Sequence, residues 1–346
     1  MELLSKRPLV ERIGYYLRSP VVLTILGTIG LLIAATLHSG SYILVNTVVT
    51  GGMWALMSMG LALVFGVMNI AHFAIGEMFM AGGLFSYFVI TPLYDYLSLN
   101  PNETLAALAP ILSILAGTIG GAMIGVLTEI FIFRPLRRRS REQWIMNTFI
   151  LTLGISVVMI NGHHLLFGSE FKGVVSYWPY QPITVLGTLI SFDRAFVFVC
   201  SIVMMGGFWI FMKFTKIGQA IRAVSQDEKG ALMVGVNLNT IQALTMALSC
   251  GLAALSGACL LFMFPSYPTV GVAPLYNAWF VVIVVGLGNV AGTIVGGFMV
   301  AMFQILTTVY IGEGWGLVFP SLIIIVILIF KPSGLFGTAV RGILDQ

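Results

Sequence analysis

Few side chains in this sequence are equipped for chemistry, and three of them share one apolar stretch. Residues 60–83 read GLALVFGVMNIAHFAIGEMFMAGG, which sets Asn69, His72 and Glu77 among aliphatic and aromatic neighbours. Polar and ionisable residues in so apolar a run are costly and normally face a bundle interior or a wet cavity. His72 and Glu77 are five apart, so they diverge by about 140° on an ideal helix. They share a face only if the backbone kinks, which Gly76 permits. Two readings stay open: a segment that lines a path and gates it, or a polar pair that locks helix packing. A proton relay is a weaker third, since one His and one Glu without further acids make a short chain.

The remaining constellations point away from catalysis. His163 and His164 stand beside Asn161 at the end of another apolar run. A metal site wants more ligands at defined geometry, so these read as interfacial polar groups. Cys200, Cys250 and Cys259 lie inside apolar runs and read as small packing residues. The sequence has no G-x-x-x-x-G-K-[ST], no G-x-S-x-G and no H-E-x-x-H, which removes the usual phosphate cradle, nucleophile elbow and zinc-protease helix. The expectation is a chain with no metal, no cofactor of its own and no enzymatic activity. If ATP is used, another polypeptide must bind it.

The elements that position these residues follow from composition. Of 346 residues, 58% are hydrophobic and only 9% are charged, against roughly 45–50% and about 25% in soluble domains. Lipid must replace water over most of the surface. A membrane span needs about 20 mostly apolar residues. Eight runs qualify: 21–37, 42–66, 70–90, 105–133, 145–167, 195–214, 240–264 and 317–330. Between the last two lies a longer apolar stretch, 277–311, carrying Gly286, Gly288, Asn289, Gly292, Gly296 and Gly297.

Charge placement sets the topology. Lys6, Arg7, Arg12 and Arg18 form one basic cluster, and Arg134, Arg137, Arg138, Arg139 and Arg141 a second. Lys213, Lys216, Arg222 and Lys229 form a third, and Lys331 with Arg341 a fourth. Basic loops near span ends mark the cytoplasmic side. An even number of spans separates the first cluster from the second and the second from the third. Parity fails over the last interval if 277–311 crosses once. It holds if that stretch dips in and returns, turning at 287–292. Acidic loops at 95–103, 170–193 and Glu313 then lie outside, with Tyr177, Trp178 and Tyr180 as an interfacial aromatic belt. Nucleic acid is excluded, because the basic residues sit in short loops and form no groove-reading face. Small residues at helix-contact spacing, Gly117, Gly121, Gly125 and Gly292, Gly296, allow close backbone approach.

The longest polar loop, 215–239, reads TKIGQAIRAVSQDEKGALMVGVNLN. Ala220, Ile221 and Val224, then Ala231 and Leu232, give it an amphipathic helical pattern broken by glycines. Such a helix offers a face to a partner; an ordinary solvated loop is the plainer reading.

Four ordered motifs carry a family resemblance: the 60–83 segment, IGQAIRAVSQD with GALMVGVN, GLGNVAGTIVGG at 286–297, and KPSGLFG at 331–337. Over nearly the whole chain after the first helix, the sequence resembles the branched-chain amino acid type of ABC importer permease, and within it the shorter permease paralogue. The resemblance implies an all-α, polytopic membrane helix bundle, in line with the residue-level reading of about eight full spans plus a broken or re-entrant glycine-rich hairpin. Both termini are expected to be cytoplasmic, with residues 1–346 forming one permease domain. It implies a second, paralogous permease subunit, two cytoplasmic ATPases that use ATP and Mg, an external substrate-binding protein, and a bacterial inner-membrane location. Residues 215–239 become the segment that docks into the ATPase, with Lys216, Gly218, Arg222, Asp227 and Gly235 on the family pattern. Asn69, His72, Gly76 and Glu77 look family-like in the translocation path or gate, and Gly286, Gly288, Asn289 and Gly292 in a hairpin beside it. Leucine, isoleucine and valine are the implied cargo, with urea, short amides or another small solute as the alternative. A proton-coupled secondary transporter using His72 and Glu77 is the alternative from another class.

Overall fold

The computed structural model describes residues 20–139, 144–174, 177–178, 181–185 and 187–337. The N-terminal basic cluster, Arg141, Tyr180 and Arg341 lie outside the described residues. Helix α1 covers Pro20–Ser39, α2 Tyr42–Met68 and α3 Ile75–Leu99. Helix α4, Glu103–Thr128, runs through a single π-turn, Glu129–Phe133, into the short basic α5, Arg134–Arg139. Then come α6, Trp144–Phe167, and α7, Phe192–Phe214. The polar loop folds as α8, Lys216–Gln226, and α9, Glu228–Met233. The last four are α10, Leu238–Leu260; α11, Val272–Val285; α12, Gly292–Tyr310; and α13, Val318–Phe330. Eight helical segments of the described residues are long and apolar enough to cross a membrane, and α11 is a shorter apolar helix.

This is the helical membrane bundle that composition demands. With no water in the bilayer core, each backbone polar group must be bonded within its segment, which helices achieve. Helices α2 and α10 form the centre and are mostly buried, whereas α6 and α13 are largely exposed. The exposed side chains of those two are apolar, such as Ile150, Val158, Ile325 and Ile329.

Small residues bring the central helices together. A Cβ on Gly82 of α3 would stand 1.9 Å from the Ala254 carbonyl oxygen of α10, and one on Gly257 would stand 1.9 Å from the Phe79 carbonyl oxygen. Only glycine permits that crossing. Gly117, Gly121 and Gly125 of α4 meet α3 or α10 at similarly short range, as their spacing predicts.

Three features differ from the sequence reading. The run 70–90 is not one helix: α2 ends at Asn69 in the left-handed region (φ 52°), and α3 restarts only at Ile75. The stretch 277–311 turns at its glycines, but α11 already begins at Val272 and α12 is itself long and apolar enough to cross a membrane. The loop after α6 contains a small antiparallel hairpin, Ile183–Val185 with Thr188–Ile190, which the helical periodicity did not foretell.

Candidate functional site

Asn69 to Ala74 is non-helical backbone embedded in the bundle. Such backbone survives at membrane depth only if protein or a wet cavity satisfies it. Here the neighbours are protein. Thr152 of α6 donates its hydroxyl to the Ala71 carbonyl at 3.3 Å. Phe73 stacks on Trp279 of α11 at 5.1 Å and meets Phe149 of α6 edge-on at 5.2 Å. His72 is fully buried, with its ring 5.9 Å from that of Phe133 in the π-turn. Gly76 touches Gly271 backbone to backbone at the start of α11: a Cβ there would lie 2.7 Å from the Gly271 oxygen.

Glu77, in the first turn of α3, is 3% exposed. Its Oε1 accepts a hydrogen bond from Ser156 of α6 at 2.7 Å. No hydrogen bond or ion pair joins it to His72 among the described residues. Both are buried, but Glu77 bonds to Ser156 while neither ring nitrogen of His72 has a hydrogen-bond partner among the described residues. Asn69 is exposed and ends α2.

The polar loop is tightly built. Thr215 accepts from the Gly218 amide at 3.0 Å and caps α8; Asp227 accepts from the Lys229 amide at 3.0 Å and caps α9. Arg222 reaches back to the end of α7 and donates to the Met212 and Lys213 carbonyls at 2.6 and 3.3 Å. A cation at a helix C-terminus satisfies orphan carbonyls and complements the dipole. Gly218 is required where α8 folds under α7, because a Cβ would lie 2.5 Å from the Met212 oxygen. Gly235 ends α9 with φ 85°. Gly218, Arg222 and Gly235 therefore shape the loop, while Lys216 and Asp227 are exposed.

Ile221, Val224 and Ala231 face inward as their periodicity requires. Leu232 does not. It is 52% exposed, beside Met233 at 87% and Val234 at 78%. The amphipathic pattern grouped Leu232 with Ala231, but the break at Asp227 starts a separate helix in which only Ala231 is buried.

The glycine-rich turn is held by the chain's last described residues. Leu335 and Phe336 donate their amides to the Val284 and Val285 carbonyls at 2.7 and 2.9 Å, closing the end of α11. Asn289 links both sides, accepting from the Gly292 amide at 3.0 Å and donating to the Phe336 carbonyl at 3.3 Å. Gly286 has φ 111° and Gly288 φ 81°, and Gly288 lies against Gly66 of α2.

Two functional features escaped the sequence reading. Glu129, at the π-turn, is fully buried and paired with Arg137. The Arg137 guanidinium also lies 5.5 Å from the centroid of the Trp144 ring. The available signal was an acid inside an apolar run. The second is the exposed apolar tip of α9.

A helix bundle with a broken segment at 69–74, a glycine turn strapped by residues 335–336 and a polar amphipathic loop at 215–239 has the architecture of a polytopic membrane permease. The family model for the branched-chain amino acid transport system / permease component matches residues 43–328, and the chain belongs to that family. It is 27% identical over 301 residues to the high-affinity branched-chain amino acid transport system permease protein BraD of Pseudomonas aeruginosa, covering 85% of this chain and 94% of the relative. It is 26% identical to LivH of Salmonella typhimurium over 84% of this chain and 94% of the relative. A probable LivH of Methanocaldococcus jannaschii matches at 24% identity over 85% and 92%. Among solved structures, PsaBC of Streptococcus pneumoniae in complex with Fab is similar at a TM-score of 0.40 and 14% identity, over 88% of this chain and 96% of that one; nothing below rests on it.

Proposed function

We propose that this chain is the transmembrane permease subunit of an ATP-binding-cassette importer for branched-chain or related hydrophobic amino acids. It forms half of the translocation path in the bacterial inner membrane, beside a second, paralogous permease. Two cytoplasmic ATPases bind ATP and Mg, and an external binding protein delivers cargo.

The observation that carries this reading is the α8–α9 unit. Its inner face is buried and clamped to α7 by Arg222. Its outer tip presents Leu232, Met233 and Val234 to the exterior. A large apolar side chain held on a rigid turn is suited to a partner's hydrophobic groove. Movement of that unit passes to α7 through the Arg222 clamp, and rocking of rigid bundles gives alternating access. The broken Asn69–Ala74 segment with Gly76 and Glu77 is the gate element of this reading. An apolar path needs differential contacts in two states and not a deep pocket.

The test is Met233→Asp in the assembled transporter. Membrane insertion and the melting temperature of the isolated subunit are expected to stay normal, while leucine uptake falls at least about tenfold. Retained uptake with Met233→Asp and Val234→Asp combined would remove the α9 tip from the docking surface.

A further inference from the structure

A cavity of about 440 Å³ lies beneath α8, on the side facing the bundle. Its lining shares Arg222, Gly288 and Asn289 with the clamp and the glycine turn, but no role above uses the space itself. Its floor is apolar, formed by Leu63 and Val67 of α2, Phe208 and Met212 of α7, and Ile221 of α8. Its rim is polar, with Lys213, Ser225, Gln226 and Asn289, and none of its lining residues is acidic. The volume sits within the roughly 300–1,000 Å³ typical of small-molecule sites, which pair an apolar lining with a few placed polar groups.

The two cations at the rim differ in availability. Arg222 is committed to the carbonyls at the end of α7. Lys213 has no carboxylate partner: the salt bridge found among the described residues is Arg137–Glu129. Its ammonium stands 4.6 Å from the centroid of the Trp209 ring, and Trp209 also lines the cavity. An unneutralised cation above an apolar floor selects an anion with an apolar tail.

We propose that this cavity binds a small amphipathic anion, an aliphatic carboxylate whose tail covers the Leu63–Phe208 floor and whose carboxylate meets Lys213. A zwitterionic amino acid fits less well, because its ammonium finds no acid in the lining. The site is therefore distinct from a cargo path. No residue of α9 lines it, so an occupant does not cover the exposed α9 tip. The shared chemistry, an anionic head on an apolar tail, is available from a soluble carboxylate or from the phosphodiester head and acyl chain of an anionic lipid reaching in from the bilayer.

The test titrates the full chain, in phosphatidylcholine nanodiscs, with 4-methylpentanoate by calorimetry. Saturable binding is expected, weakened at least about tenfold by Lys213→Gln and by Ala291→Phe, which fills the cavity from an exposed lining position. The neutral 4-methylpentan-1-ol and leucine should each bind at least about tenfold more weakly than the carboxylate. Unchanged thermal unfolding of both variants shows that they fold. Phosphatidylglycerol discs separate the sources: 4-methylpentanoate affinity at least about tenfold weaker than in phosphatidylcholine discs, at an ionic strength that screens the disc surface, assigns the site to lipid, and unaltered affinity assigns it to a soluble carboxylate. No saturable binding, equal affinity in both variants, or equal binding of the alcohol or of leucine overturns the proposal. None of these readouts needs an ATPase, so they stand apart from the importer reading.

Discussion

At the residue scale, the informative groups are buried charges with a single partner. Glu129 has a fully buried side chain and Arg137 one that is 18% exposed. Removing one member leaves the other charge uncompensated, at a typical cost of about 3–5 kcal/mol. Arg137→Met is therefore expected to lower the unfolding free energy of the detergent-solubilised chain by roughly that amount. Adding Glu129→Gln should restore most of it, because a neutral pair no longer needs the cation; a double variant as unstable as the single one would show that Arg137 acts by packing on Trp144. Arg222→Glu is a different case. It replaces a donor to two carbonyls by an acceptor at a helix C-terminus, which repels it. Uptake should be lost and protease sensitivity should rise between α7 and α8. Sensitivity like that of the unaltered chain would contradict the clamp.

At the element scale, glycines decide which helices approach. Gly82→Ala places a methyl group against the Ala254 backbone and is expected to cost about 3 kcal/mol or more. Gly206→Ala on α7 meets nothing within 4 Å and should cost nothing, with helix propensity favouring it by up to about 1 kcal/mol. Thermal melts of both variants check the contrast. The same logic explains what the sequence could reveal. Spans were legible because apolar runs of that length have few other uses, and the turn at 286–291 overlaps the 287–292 segment that loop-charge parity singled out. The break at Asn69–Ala74 was not, since its residues are as apolar as a helix interior. Its conformation comes from tertiary partners, Thr152 and Trp279, that lie far away in sequence. The strap formed by Leu335 and Phe336 was visible as a motif but not as a contact, because its amides pair with a helix end some fifty residues earlier.

At the scale of the whole molecule, the chain is a permease with a closely packed centre. The buried centre of α2, α3 and α10 is rigid by close packing, and the named site residues cluster where helices stop. Among those, Gly218, Arg222, Gly235, Gly286 and Gly288 build the shape of loops, and Glu77 ties α3 to α6. Their capping and close-approach contacts were not legible in the sequence, because these depend on the neighbouring helix. The most direct test reconstitutes the chain with its paralogous permease, the ATPase pair and the binding protein in proteoliposomes, and follows leucine uptake. The account predicts uptake that requires ATP, persists with a protonophore and stops when the ATPase active site is inactivated. Uptake by the permeases alone, driven by a pH gradient and abolished by Glu77→Gln, would contradict it.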